Sequence, residues 1–309
     1  MSPTGVRPRR ADRLRRDVAL ILIRTEEGTQ LPPIRQLATR FGSSVGATQM
    51  AMARLVEEGT VEIDSRPGRG AVLLHKNIGG LFAAVHQGPL LIALPLPSTE
   101  RINGLATAIK ASLTARGVEA YMVFIRGSRP RIAALAQERC HLAVLSRLAA
   151  SELIGPAYDI LLTLPPGSYV HEHRVFFVGE QPISGRRMRV GIDPSSRDFE
   201  RLTELEFAEV DVELIPLNYL RAVRAMEDGT IDAAILDTED ALMHFPPGLA
   251  HRALSSRVQT RLAGANLEAA FVGRAGNEVM QEIVASCLIP AEIVRIQQDV
   301  IAGRRPPEY

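Results

Sequence analysis

Five short segments in the larger, C-terminal part of this 309-residue chain place hydroxyls, acids or a guanidinium just after apolar runs. Pro97-Ser98-Thr99-Glu100 follows 90–94, Arg126-Gly127-Ser128-Arg129 follows 118–125, and Ser146-Arg147 follows 141–145. Asp193-Pro194-Ser195-Ser196-Arg197 follows 189–192, and Asp237-Thr238 follows 232–236. In open α/β sheets small ligands sit beyond the carboxyl ends of the strands, where helix N-termini present unpaired N–H groups. Ser98, Thr99, Arg126, Ser128, Ser146, Asp193, Ser195, Ser196 and Asp237 are therefore the candidate ligand-binding residues. Such a set suits a small carboxylate or phosphate. Arg126 is the cation that follows a strand directly, and burying a guanidinium without a counter-charge is costly, which points to an anionic effector. The same Ser, Thr and Asp types also make ordinary helix N-caps, so each loop alone reads more simply as a cap. Their convergence on one cleft is what would make them a site.

Other chemistry is thin. There is no nucleophile-elbow Ser, no P-loop, and no G-x-G-x-x-G between a strand and a helix. His171-Glu172-His173 puts two imidazoles on one face of an extended segment, but no third ligand follows at local spacing, and a surface strand or hinge is the simpler reading. Asp237-Thr238-Glu239-Asp240 also reads as the acidic first turn of a helix. Two cysteines, Cys140 and Cys287, make no disulfide framework and fit a reducing cytoplasm. No apolar run approaches the ~20 residues of a membrane helix, and the run 18–23 is too short for an export signal. No cofactor, metal or membrane is expected.

The elements around the candidate loops alternate strand and helix. Helices are expected at 100–116, 130–138, 197–207 and 219–228, between strands at 90–94, 118–125, 141–145, 189–192, 210–215 and 232–236. That order gives parallel sheets with right-handed crossovers, in two lobes of βαβαβ type. The alternation pauses at 159–178. The C-terminal part, 268–301, returns with a strand at 269–272 and helical segments.

The N-terminal part differs in charge and pattern. Residues 1–76 hold 13 Lys and Arg against 8 Asp and Glu, a balance of +5, whereas the rest hold 23 against 27. A basic small module beside a mildly acidic large one points to a polyanion partner. From Arg10 to Glu27, Leu14, Val18, Ile21 and Leu22 form the stripe of a first helix that ends before Gly28. Pro32-Pro33 starts a second helix with Ile34, Leu37, Ala38 and Phe41 on one face. Gly42-Ser43-Ser44 supplies a turn and a capping hydroxyl, and Thr48, Ala51, Met52 and Leu55 mark a third helix stopped by Gly59. Strands at 61–63 and 71–74 flank Arg66-Pro67-Gly68-Arg69-Gly70, a tight basic hairpin. Three helices and a hairpin make a winged helix-turn-helix. Residues 77–88 read as a linker, so the domains are 1–76, with a basic arm at its start, and 89–309.

The blocks LPPIRQLATRFGSS, LVEEGTVEI and RPGRGAVL, in that order, resemble the DNA-binding half of GntR-type bacterial regulators. The resemblance implies that Arg35, the 44–50 stretch and the wing glycines Gly68 and Gly70 meet operator DNA. Within that stretch Ser44, Thr48 and Gln49 have the hydrogen-bonding side chains, and Gly46 lets backbone approach a phosphate. Gln49 suits adenine, while Arg66 and Arg69 suit phosphates. The third helix has no basic residue near its start, a departure from the family pattern that weighs against guanine readout. The two lobes resemble the type 2 periplasmic-binding-protein fold, and PLPSTERINGLA resembles the YhfZ group of regulators. The expected whole is an α/β protein: a winged helix-turn-helix plus a bilobal effector domain, cytoplasmic, homodimeric, binding double-stranded operator DNA and a small molecule. It is expected not to be an enzyme. Two rivals are an enzyme on the same bilobal frame and a solute-binding transport component, which would not carry a winged helix. A pyridoxal-phosphate aminotransferase-like domain needs a Schiff-base lysine, and Lys110 is the only lysine of the large module.

Six arginines precede Asp17, with Pro3 and Pro8 among them, and read as a disordered arm that adds nonspecific affinity. Deleting residues 2–9 is expected to lower affinity for operator and for random DNA by the same factor in anisotropy titrations. A loss confined to the operator would mean that the arm reads bases.

Overall fold

The structure is a computed structural model that describes residues 10–66, 70–86, 88–179, 186–244 and 250–309. Its first elements are α1 (Arg10–Arg24), α2 (Ile34–Arg40), α3 (Val45–Glu57), β1 (Val61–Arg66), β2 (Gly70–Lys76) and α4 (Ile78–Val85). Then follow β3 (Leu90–Leu94), α5 (Glu100–Thr114), β4 (Ala120–Phe124), α6 (Ser128–Ala136), β5 (Leu142–Ser146), α7 (Arg147–Leu153) and β6 (Tyr158–Thr163). Next are β7 (His173–Phe177), β8 (Met188–Ile192), α8 (Arg197–Glu206), β9 (Val212–Pro216), α9 (Ala222–Glu227), β10 (Ala233–Asp237), α10 (Thr238–His244) and β11 (Ala250–Ala253). The chain ends through α11 (Ser256–Leu262), β12 (Ala269–Arg274), α12 (Glu278–Cys287) and α13 (Pro290–Ile301).

The chain forms two compact units. The first holds Met1–Leu90 with Ala111–Ala120 and Gly276–Leu288. Its core is the stripe of α1, with Leu14, Val18, Ala19, Leu22 and Ile23 buried, against Leu37 and Ala38 of α2 and Ala51 and Leu55 of α3. Each large aliphatic side chain withdrawn from water there is worth about 1.5–3 kcal/mol. β1 and β2 pair antiparallel as the wing, and Leu73 of β2 is fully buried. The wing tip, 67–69, lies outside the described residues.

Two expectations change here. Arg10, Arg13, Arg15 and Arg16 are not part of a disordered arm but belong to α1, which starts at Arg10 as the apolar stripe implies. The stripe begins at Leu14, Asp12 suits the positive end of the helix dipole, and Arg15 ion-pairs with Glu58. The remaining arm, 1–9, lies outside the described residues. The linker 77–88 holds helix α4: Asn77 caps it by accepting from the Gly80 amide at 3.0 Å, and Leu81, Phe82 and Val85 are buried. α4 and α12 both pack on α1. Lys76 is the clasp of this unit. Its Nζ donates to the Ile23 carbonyl at 2.8 Å, in the last turn of α1, and to Glu282 of α12, also at 2.8 Å.

The second unit holds Leu91–Lys110, Tyr121–Ala275 and Ile289–Tyr309. It contains two five-stranded sheets, ordered β4-β3-β5-β12-β6 and β9-β8-β10-β7-β11. The sheets are mixed rather than parallel. β3 with β5, and β8 with both β9 and β10, pair parallel. β12 runs antiparallel between β5 and β6, and β7 antiparallel between β10 and β11. Each sheet therefore has the same order, with one antiparallel strand delivered by the chain as it crosses between lobes. The pause at 159–178 is the first crossing, carrying β6 and β7. β5 is wholly buried and β10 nearly so, as strands covered by helices on both faces must be.

Gly79 sits where α4 meets the turn after α5. A Cβ there would lie 2.4 Å from the Gly117 carbonyl oxygen, whereas one on Gly46 of α3 meets nothing within 4 Å. Gly79→Ala is expected to destabilise the protein by roughly 1–3 kcal/mol through overpacking against backbone. Gly46→Ala should stabilise it by about 0.5–1 kcal/mol by removing a flexible residue from a helix. Urea unfolding of both variants checks the pair.

Candidate functional site

The strand-following loops of the two sheets meet at one cavity of about 80 Å³ in the second unit. Of the nine residues expected there, Ser98, Thr99, Arg126, Ser196 and Asp237 line it. Thr99 is also the cap of α5, accepting from the Ile102 amide at 3.3 Å. The other four are spent on structure. Ser146 Oγ accepts from the Ala149 amide at 2.9 Å and donates to Asp198. Ser128 Oγ accepts from the Arg197 amide at 2.8 Å, across from one lobe to the other. Ser195 donates to Asp193 through its amide at 2.9 Å and its hydroxyl at 2.7 Å.

Arg126 is not an unmatched cation. Its guanidinium ion-pairs with buried Asp193 and donates to Ser195 Oγ at 2.9 Å. Asp193 further accepts from the Tyr219 amide at 3.1 Å. Among the described residues, the buried guanidinium without an ion pair is Arg131, one turn into α6 and only 2% exposed. Its Nη1 donates to the Ile125 carbonyl at 2.8 Å and its Nη2 to Tyr169 Oη at 2.7 Å, while Nε is buried with no acceptor. Sequence reasoning passed over Arg131 because it looked only at loop residues. Its signal was a charged side chain at position i+3 of a helix start, between Pro130 and Ile132, where an apolar contact would be expected.

Other lining residues were also missed: Tyr169, His173, Asp198, Phe199, Tyr219 and Asp240. Burial pushes Asp198 up to about 6, and pushes Asp237 up to about 7 with Glu239 and Asp240 adding to the rise. His173 is buried, lies 3.0 Å from the Asn266 amide nitrogen, and is pushed down to about 4 by desolvation. His171 is exposed, and no cluster of metal-ligating side chains occurs among the described residues.

The DNA-facing candidates lie in the first unit. Ser44 caps α3 by accepting from the Ala47 amide at 3.2 Å. Gly46, Gln49 and Met50 are exposed on α3, Met50 by 75%. Thr48 is not: it is fully buried, its hydroxyl 3.1 Å from the Ser44 carbonyl and 2.6 Å from Ser43 Oγ. That corrects the sequence reading, since a hydroxyl at i+4 from the cap turns inward and closes the turn. Arg35 is exposed on α2. Gly70 has φ +79°, and a Cβ there would meet the Gln30 side chain at 2.5 Å, so the wing base requires glycine. Arg66 ends β1, where its backbone pairs with Gly70. Gly68 and Arg69 lie outside the described residues.

A winged helix-turn-helix joined to two lobes of matching strand order defines a class: a DNA-binding transcription regulator with a two-lobed α/β C-terminal domain. Residues 11–72 match the bacterial regulatory proteins of the gntR family, and residues 79–309 match the YhfZ C-terminal domain. The chain belongs to the YhfZ family. It is 30% identical over 295 residues to YhfZ of Escherichia coli (strain K12), covering 94% of this chain and 95% of that protein. The crystal structure of YhfZ from Shigella flexneri superposes with a TM-score of 0.61 at 29% identity, covering 75% of this chain and 98% of that one. A periplasmic substrate-binding protein of an ABC transporter from Coxiella burnetii aligns with a TM-score of 0.45 at 12% identity, over 69% of this chain and 97% of its own. No helix among the described residues is long and apolar enough to cross a membrane.

The acids of the cavity give a signed pH effect. Folded Asp237 keeps its proton up to about 7, whereas an ordinary aspartate loses it near 3.8. Folding therefore takes up a proton between these values, and the stability this group contributes falls as pH rises through that window. Asp237→Asn, which keeps the oxygen that accepts from the Glu239 amide at 3.0 Å, should gain stability over the parent at pH 7.5 and less or none at pH 4.5. Urea midpoints at the two pH values check this, and an equal difference at both would refute it.

Proposed function

We propose that this protein is an effector-responsive transcription regulator that acts in the cytoplasm as a homodimer. Its winged helices bind two operator half-sites, and its two-lobed domain binds a small metabolite whose presence changes operator affinity. The observation that carries the sensing half is the convergence of strand-following loops from both sheets on one cavity. Paired side chains join the lobes around that cavity, Arg126 to Asp193 and Arg101 to Glu239. A ligand shifts such an arrangement only as far as its affinities for the open and closed forms differ, and its effect on DNA binding is reciprocated by the effect of DNA on its own affinity. The DNA half rests on the gntR-type module, on exposed Arg35 and on the exposed face of α3. Paired winged helices of this kind read half-sites about one helical turn, or a multiple of it, apart.

The test is an operator selected from random DNA by the full chain. Arg35→Ala combined with Arg69→Ala should weaken binding on every sequence, with Arg69→Ala flattening the salt dependence by roughly one unit. Gln49→Ala should instead relax discrimination at one base pair. Full operator affinity in the double variant would remove the winged helix from DNA binding. Compounds that stabilise the protein thermally yet leave operator affinity unchanged would remove the sensing half.

A further inference from the structure

Among the described residues that line the cavity, the Arg131 guanidinium and the Asp237 carboxyl take part in no ion pair, and they lie on different lobes. Arg131, on α6 beside the first sheet, donates only to two neutral oxygens, and its Nε has no acceptor. No carboxylate among the described residues forms an ion pair with it. The other cavity arginine, Arg126, has Asp193, and buried Arg101 of α5 has Glu239. Asp237, at the end of β10 in the second sheet, accepts from one backbone amide, and no cation pairs with it among the described residues. Asp198, also in the cavity, already receives the Ser146 hydroxyl. The walls between are apolar and aromatic: Ile102, Leu96, Phe199 and Tyr219, the last two rings 5.2 Å apart. A buried guanidinium without a counter-charge is costly, and a buried carboxyl ionises reluctantly, unless something brings the complement. One small molecule can bring both complements at once.

We propose that the cleft takes a small zwitterion, its carboxylate on the Arg131 guanidinium and its ammonium on the Asp237 carboxylate. This rests on the reading of the cleft as the effector site and names the chemistry of that effector. It also replaces Arg126 by Arg131 as the anion-recognising residue. With a cavity of about 80 Å³, small amino acids and their short homologues are the first candidates. The two charges lie on different lobes, so a molecule that bridges them favours the closed arrangement, which either charge alone would do only weakly.

The test is calorimetry of the full chain with the protein amino acids, β-alanine and 4-aminobutyrate, each hit repeated as its carboxamide and as its deaminated acid. A set of neutral polyols and sugars is run alongside. The expected result is that at least one zwitterion binds, and that removing either charged group weakens it by roughly 10- to 100-fold, the loss of one charge-assisted hydrogen bond. Asp237→Asn should then bind the amino acid and its deaminated acid equally well, while Arg131→Met should lose both. The Asp237→Asn comparison is made within one folded variant, so it stands even if Arg131→Met fails to fold. Binding of a neutral compound with no zwitterion binding overturns the proposal and leaves the effector cleft standing. A zwitterion whose affinity is unchanged in Asp237→Asn and in Arg131→Met overturns it as well. If nothing in either set binds, both the proposal and the cleft reading fail.

Discussion

Asp193 is the constraint around which the C-terminal domain is arranged. It is buried and accepts from four donors: the Arg126 guanidinium, the amide and hydroxyl of Ser195, and the Tyr219 amide. A carboxylate taken out of water must be met this fully or it destabilises the fold. Meeting it draws the loop after β4 on one lobe to the loop after β8 on the other. Once that is done, the Ser128 hydroxyl reaches the first amide of α8, and the walls of the cavity are set. The pairing also explains why the loops that looked most like ligand contacts are only partly so. Several of their polar atoms already have partners within the protein.

Much of the architecture was legible in local pattern. The α1 stripe, the Ser44 cap, the hairpin and most strands of the two lobes follow from periodicity and turn residues. What escaped depends on pairing distant in sequence. β7 and β12 each insert antiparallel between strands of a βαβ series, and nothing in their own composition says which neighbours they will find. The apolar patch 81–85 looked like part of a linker because α1 and α12, which cover it, lie far away in the chain. In the two candidate sites, Thr48 was misjudged and Arg131 passed over for one reason. Residue type states which bonds a side chain can make, while the side of the helix it occupies decides whether it makes them with the protein or with a ligand.

The first compact unit is larger than the winged helix. Leu81, Phe82 and Val85 of α4 are buried, and α12, from the far end of the chain, packs on the same helix α1. A DNA-binding module cut at residue 76 would expose the flank of α1 that these helices cover and would lose the Lys76–Glu282 pair. The winged helix is completed by chain that follows it by some two hundred residues, so the boundary at 76 marks a change of pattern rather than a unit of packing.

The chain has two lysines and 34 arginines. One lysine, Lys76, is the clasp between α1 and α12, with its side chain 11% exposed; the other, Lys110, stacks on Tyr121. Every positive charge available to a DNA phosphate from the arm, α2 or the wing is therefore a guanidinium. Acetylation, which silences many nucleic-acid-binding surfaces by neutralising lysine amines, finds no target there. Arginine also keeps its charge across the physiological pH range. The electrostatic grip of this protein on DNA is thus fixed when the chain is made, and any control over it must come from how the chain is arranged rather than from chemical erasure of its charges.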